Sequence, residues 1–387
     1  MLILALIFWI SVALILWTQA GYALGLAFLA FLARPRRAPR PSVDPGELPS
    51  LSLIVAAHDE EAVIAARLAN ALALDYPREL LEVIVACDGC TDQTAVRARS
   101  AGADLVLELP RGGKIRAQDA AVAQARGAVL AFSDANSLWE PGAARALVAA
   151  FADQRVGYAC GQVRFVQSAA GPEGSNQEGV YWRYEMALRG WESRLSSITA
   201  GNGAIYATRR EAYLHVDPIM GHDLSLPFNM VKRGLRAVYV PEARASEKMV
   251  PSLGGEFARK RRMMSHTWPI LLRGGMLSPR GYTPGYAAMI ISHRLLRYVS
   301  PGLHLLALAA NIALVALSSG STQTLYAVTL GLQLGLLAAA LLAGPVRLRP
   351  LLLARYYVLT TASPAAGLWD WLRHGTAASW EAAEGTR

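Results

Sequence analysis

Residues 51–61 read LSLIVAAHDEE, a near-continuous apolar run that breaks into His58, Asp59, Glu60 and Glu61. An unbroken apolar run of this length suits a strand buried on both faces of a parallel sheet, not the alternating pattern of a half-exposed one. The phrase recurs downstream. LEVIVAC from Leu81 runs into Asp88, Gly89, Cys90, Thr91 and Asp92; ADLVLEL from Ala103 leads to the loop RGGK ending in Lys114; GAVLAFS from Gly127 runs into Asp134, Ala135 and Asn136. The intervening Glu60–Leu74, Asp92–Ala101 and Lys114–Arg126 have helical spacing. Strand, helix, strand, repeated, predicts a doubly wound, mostly parallel α/β sheet. Ligands of such sheets bind beyond the carboxyl ends of the strands, where each polar cluster falls.

Acidic residues at three successive strand ends repel a bare phosphate, so a ribose, a base amide or a divalent cation matches them better. Lys114, after two glycines that let the backbone approach a ligand closely, supplies a cation for a diphosphate. The set fits a nucleotide diphosphate held through a metal. In order, VAAHDEE, CDGCTDQT, GGKIRAQDAA and FSDANS resemble the family 2 glycosyltransferases, inverting enzymes with the nucleotide-sugar-binding GT-A fold. With its flanking apolar segments the chain resembles the polysaccharide-synthase branch, which includes hyaluronan, chitin, cellulose and poly-N-acetylglucosamine synthases. The resemblance implies that Ala57, Asp59 and Glu60 line the nucleotide pocket, that Asp88 recognises the base, and that Lys114 approaches the diphosphate of a UDP-sugar. It places the Asp-x-Asp metal motif, for Mn2+ or Mg2+, on Asp134 and Asn136. The second position departs from that pattern, since an amide oxygen is a weaker, neutral ligand for a hard cation.

The second half resembles the acceptor side of the same family. TAGNGAIYATRRE, from Thr199, matches a Gly-rich turn entering a strand, which implies that Gly201, Asn202 and Gly203 lie near the transferred sugar. In MGHDLSLPFNMVKRGLRAVYVPEA the family's general base falls on Asp223, ahead of a helix and a G-x-R-x-x-Y-x-P strand; His222 replaces the preceding acidic residue and inherits no role. Inverting transfer needs one such carboxylate to take the acceptor hydroxyl proton. A bland alternative for Asp223 is a helix N-cap. FARKRRMMSHTW from Phe257 partly matches the synthases' Gln-x-x-Arg-Trp. Arg262 takes the arginine place, toward the diphosphate; Arg259 replaces the Gln; Trp268, five residues late, is expected as an aromatic platform for a sugar. A basic helix lying on an anionic membrane is the alternative for this stretch.

Outside residues 49–283 the composition changes. The 387 residues carry 38 Lys plus Arg against 29 Asp plus Glu, a net charge of +9, with 53% hydrophobic and 17% charged residues; a soluble domain has about 25% charge. The deficit is local: no Asp, Glu, Lys or Arg occurs in 1–33, 298–346 or 356–369. This excludes a purely soluble protein, a disordered tail and a secreted disulfide scaffold. A spanning helix takes about 20 apolar residues. Residues 1–33 exceed that and lack a basic start, so they read as a retained anchor and not a cleaved signal. The expected order is a spanning helix at 1–33, a basic linker at 34–48, the GT-A domain at 49–283, an interfacial amphipathic helix at 284–300 with cations toward lipid phosphate, spans at 301–318 and 324–344, a third C-terminal segment at 351–369 that either crosses or re-enters, and a tail at 370–387. Arg34, Arg36, Arg37, Arg40, Arg347 and Arg349 beside the spans put the domain on the cytosolic side of a multi-pass cell-membrane protein.

Cys87 and Cys90 form a C-x-x-C, but Cys160 is the only other cysteine and a structural zinc site needs four ligands. The basic clusters flank membrane segments, so the expected partner is the lipid bilayer and not nucleic acid. The main reading is transfer from a nucleotide sugar to a membrane-associated glycan or polysaccharide. Transfer of one sugar to a lipid carrier or glycolipid is the second, and a degenerate nucleotide-sugar-binding scaffold the third.

Overall fold

The computed structural model describes residues 1–33, 48–166, 175–248, 253–346 and 348–378; the linker arginines Arg34 to Arg40, Arg347 and the end of the tail lie outside the described residues. In chain order the elements are α1 (Leu2–Leu32), β1 (Leu51–Ala57), α2 (Ile64–Leu72), β2 (Leu81–Asp88), α3 (Thr94–Ser100), β3 (Leu105–Leu109), α4 (Lys114–Gln124), β4 (Val129–Asp134), β5 (Leu138–Trp139), α5 (Ala143–Ala149), β6 (Val156–Val166), α6 (Ser175–Leu195), β7 (Tyr206–Arg209), α7 (His222–Lys232), β8 (Arg236–Lys248), α8 (Leu253–Leu272), α9 (Pro284–Leu317), α10 (Gly320–Leu342) and α11 (Arg349–His374).

The strands form one eight-stranded sheet in the order β3-β2-β1-β4-β7-β6-β8-β5. β1 pairs in parallel with β2 and β4, and β2 with β3. Every residue of β1 is buried, as its unbroken apolar run requires. Leu53 and Val55 face one core with Ile64, Leu68, Val83 and Leu147. Ile54 faces the other with Ile84, Phe132, Tyr158, Tyr206 and Leu226. Beyond β4 the sheet turns mixed: β7 runs antiparallel to β4 and β6, β8 parallel to β6, and β5 antiparallel to β8. This is the GT-A-like α/β fold the motifs implied. The reversal at β1 and β4 opens the cleft beyond their carboxyl ends.

Among the described residues three helices are long and apolar enough to cross a membrane: Leu2–Leu32, Pro284–Leu317 and Gly320–Leu342. They expose apolar side chains such as Phe31, Leu332 and Leu341. The expected break between an interfacial helix at 284–300 and a span at 301–318 does not occur, because Pro284–Leu317 is continuous. Its cations also turn inward. His293 and Arg294 are buried, and Arg297 pairs with Glu185 of α6. Their counter-charges are protein carboxylates, not lipid phosphate. The 351–369 segment is part of one helix, Arg349–His374, that packs on α8, so the tail starts after His374. His304 settles against that neighbour, 2.8 Å from the Tyr357 hydroxyl.

Two of the apolar helices meet at π-helical turns, Trp17–Gly21 in α1 and Ile290–Leu295 in α9. Such turns free a carbonyl from the helix ladder and commonly mark functional sites. Here Thr18 Oγ1 donates to the Ser292 carbonyl at 3.3 Å, and Trp17 Nε1 to Ser292 Oγ at 3.0 Å. Tyr22, Leu26, Leu188, Phe228, Trp268, Tyr286 and Tyr298 form the apolar cluster joining these helices to the α/β domain.

Candidate active site

The RGGK loop is held from beneath. The Asp88 carboxylate, buried at the end of β2, accepts the Gly112 and Gly113 backbone N–H groups at 2.6 and 3.0 Å, and Arg111 Nη1 lies 3.4 Å from it. Gly113 has φ +97°, a conformation that disfavours any side chain, and it caps α4 so that Lys114 opens the helix. Asp88, expected to read the base, therefore has its carboxylate engaged in shaping the RGGK loop. The chain after α11 returns to this place, with Ala378 backbone against Gly113.

Lys114 is the centre of the site. Its ammonium pairs with Asp134. Burial pushes its pKa down, but the carboxylates of Asp134, Asp223 and Glu247 outweigh that and raise it. A Cβ at Gly203 would lie 3.2 Å from Lys114 Nζ and 3.8 Å from Asp134 Oδ2, so a glycine there leaves room over the pair. Burial and the Asp134 charge push the Glu247 carboxyl up to about 7, against a hydrogen bond from Ser137 and the cations Lys114 and Arg259. The Asp134 and Glu247 carboxylates, plus the amide of Asn136 two residues from Asp134, make an oxygen-only set suited to a hard divalent cation. Glu247 was not foreseen. Only the antiparallel pairing of β5 with β8, Leu138 opposite Ser246, brings it to Ser137.

Asp223 lies in the first turn of α7, where Gly221 is the N-cap and no side chain caps. The N-cap alternative is excluded; a carboxylate in a first turn is still favoured by the helix dipole. The Asp223 carbonyl accepts the Gly201 N–H at 2.7 Å, tying the first turn of α7 to the Gly201–Gly203 loop. Within that loop Asn202 is spent on structure: its Nδ2 donates to the Gly161 carbonyl at 2.8 Å, and its Oδ1 accepts Ala204 and Ile205 N–H groups at 3.1 and 2.9 Å. A side chain at Gly201 would run into the Tyr158 hydroxyl. His222 Nδ1 lies 2.8 Å from the Tyr206 hydroxyl among Phe132 and Tyr213, and burial holds the imidazole down to about 3.

The residues expected to line a nucleotide pocket lie at the ends of β1 and β2. Asp59 adopts φ +50° and accepts the Thr91 N–H at 2.7 Å; Glu60 is buried, its N–H donating to Thr94 Oγ1 at 2.7 Å. Ala57 is buried, its carbonyl 3.5 Å from Cys90 Sγ. His58, Asp59 and Cys90 bring ligand-type atoms within 4.8 Å of one another.

Trp268 does not fill its expected place. Trp268 is 6% exposed, donates Nε1–H to the Pro364 carbonyl at 2.9 Å and packs near Tyr298; it locks α8 to α11 and offers no face to a sugar. Arg262 is exposed on α8, and Arg259 is the α8 cation whose charge reaches Glu247.

The chain is 31% identical over 175 residues to a probable glycosyltransferase YdaM of Bacillus subtilis (strain 168), a match covering 42% of this chain and 41% of that protein. It is 28% identical over 233 residues to an N-acetylglucosaminyltransferase of Rhizobium meliloti (strain 1021), covering 54% of each. The chain thus spans about half the length of these relatives. A mannosyltransferase from Pyrobaculum calidifontis, solved with GDP-Man and Mn2+, shares the fold at TM-score 0.71 with 23% identity, covering 95% of this chain and 99% of that one. The family model for glycosyltransferase like family 2 matches residues 49–265, from β1 through the Lys114, Asp134, Asp223 and Glu247 cluster, and the chain belongs to that family of glycosyltransferases.

Proposed function

We propose that the protein is an inverting transferase that moves one hexosyl unit from a nucleotide diphosphate sugar, a UDP-sugar in the first instance, to a hydroxyl of a membrane-anchored acceptor at the cytosolic face. The observation that carries this reading is the convergence of Lys114, Asp134, Asp223 and Glu247 at the carboxyl edge of the sheet. Asp223 accepts the acceptor proton as the hydroxyl oxygen bonds to the anomeric carbon; the bond from that carbon to the diphosphate breaks, and the electron pair leaves with the nucleotide. Lys114 stabilises the charge that develops on the leaving diphosphate. A general base in reach contributes roughly 100- to 10,000-fold. Asp134, Glu247 and Asn136 are the residues that would hold a divalent cation, which when bound neutralises diphosphate charge. The named relatives and the Mn2+ of the Pyrobaculum structure are consistent with this donor chemistry.

Burial of Trp268 favours single transfer to a lipid acceptor over extension of a polymer, because the aromatic platform expected of a synthase is used for packing. The test is purified protein with radiolabelled UDP-N-acetylglucosamine, UDP-glucose and GDP-mannose, Mn2+ or Mg2+, and native membrane lipid. One sugar on an organic-extractable product supports the proposal. A ladder of lengths removes single transfer, and no turnover of any donor removes the enzyme reading.

A further inference from the structure

We infer that Arg189 binds a phosphate group carried by the acceptor; the inference rests on the reading of Asp223 as the acceptor-side base. Arg189 projects from α6 and is only 6% exposed. Among the described residues its Nε and Nη1 have no hydrogen-bond partner, and no carboxylate forms an ion pair with it. Its one contact of note is the Trp182 ring, 5.9 Å from the guanidinium carbon. Two other buried arginines each leave only Nη2 unpartnered and hold side-chain bonds elsewhere, Arg67 to Ser133 and Asn70 and Arg294 to Thr199. A desolvated guanidinium with orphan donors is strongly unfavourable unless an anion completes it.

Its position says which anion. The Arg189 charge reaches Tyr158, Cys160 and Tyr239. Tyr158 also senses Asp223, and its hydroxyl rests on Gly201 of the acceptor loop. Both the Asp223 and the Arg189 charges therefore act on Tyr158, whose hydroxyl meets the Gly201 backbone that is bonded to the Asp223 carbonyl. An acceptor presenting a hydroxyl to Asp223 would place a neighbouring anionic group at Arg189, apart from the donor diphosphate at Lys114. The planar fork of arginine matches phosphate bidentately, and the Trp182 face supports the cation from one side. α6 also docks the apolar helices, with Arg194 Nη2 donating to the Ala30 carbonyl of α1 at 2.9 Å. That puts Arg189 on the element nearest a lipid source of phosphate, while a soluble phosphate ester offers the same chemistry.

The experiment follows the thermal midpoint of the full chain in detergent as inorganic phosphate is titrated at constant ionic strength, for wild type, Arg189→Gln, Arg189→Lys and Lys114→Ala. Phosphate is expected to raise the midpoint of wild type and of Lys114→Ala, to leave Arg189→Gln unmoved, and to act weakly on Arg189→Lys. A shift that survives in Arg189→Gln, or that vanishes only in Lys114→Ala, overturns the inference. If the Gln variant fails to fold, the Lys variant carries the comparison: a shift equal to that of wild type overturns. Glycerol 3-phosphate and phosphatidic acid in phosphatidylcholine vesicles are then tested for displacing the phosphate. Displacement by the lipid alone assigns a headgroup, by the soluble ester a free phosphate, and by neither overturns the inference. No donor turnover enters this readout, so a protein inactive on every nucleotide sugar leaves the result legible and fails only the transferase proposal.

Discussion

His293 Nδ1 lies 2.6 Å from Glu192 Oε1, joining the π-helical turn of α9 to α6 across 101 residues of sequence. The same carboxylate accepts Tyr22 of α1 at 2.7 Å and the Thr199 N–H at 2.9 Å, while Arg294 Nε donates to Thr199 Oγ1 at 2.8 Å. Thr199 opens the loop that contains Gly201 and touches Asp223. Two apolar helices and the Thr199–Gly203 loop therefore share one buried carboxylate. Burial pushes its pKa up, but His293, Arg294 and the Thr199 N–H outweigh that and hold it below the usual range.

Glu192→Gln is expected to lower stability by about 3 to 5 kcal/mol, the cost of breaking a buried charge network from one side. A double-mutant cycle with His293→Gln, read by thermal unfolding, should show coupling above about 1 kcal/mol. Additive effects would mean the two residues do not act together.

Asp223→Asn should keep the thermal midpoint and donor binding while transfer falls roughly 100- to 10,000-fold. Near-normal transfer would remove Asp223 as the base.

Mn2+ binding, followed by loss of the free-ion electron paramagnetic resonance signal, should weaken in both Asp134→Asn and Glu247→Gln and tighten in Asn136→Asp, which restores a charged oxygen. Unchanged affinity in Glu247→Gln would exclude it as a ligand.

His222 is held neutral down to about 3 by burial, with Lys114 and His215 adding to the effect. Between its usual 6.5 and about 3 the unfolded chain binds a proton that the folded chain refuses. Stability should thus be flat above 6.5 and decline as pH falls through this window, by at most about 1.4 kcal/mol per pH unit. His222→Gln, which keeps a polar partner for Tyr206, should flatten the fall of thermal midpoint between pH 7 and pH 4.5.

Gly201→Ala should cost about 1 to 3 kcal/mol by overpacking against Tyr158, and Tyr158→Phe should recover part of that loss. Failure of the rescue in thermal unfolding would place the strain elsewhere.

Much of the domain was readable from local pattern. The unbroken runs at Leu51, Leu81 and Gly127 became three parallel strands buried on both faces, where burial removes polar alternation, and the run at Ala103 became the partly exposed parallel edge strand β3. Their trailing polar residues located the cleft, because strand ends are where a sheet exposes backbone to a ligand. Trp268 and Arg294 misled for one reason: an aromatic or a cation in an amphipathic helix does not say which face its neighbours cover.

The sequence by itself determined the α/β class and the apolar segments, and it singled out Lys114, Asp134 and Asp223, which the fold brings together, since each depends on residue type within a short window. Tertiary structure alone decided that Glu247 joins Asp134 through β5 and β8, that Asp88 and Asn202 shape loops, that Glu192 serves three elements, and that Arg189 is buried with orphan donors. Those outcomes depend on which distant side chains share a desolvated space. There the strength of a charge is set by its partners and not by its place in the chain.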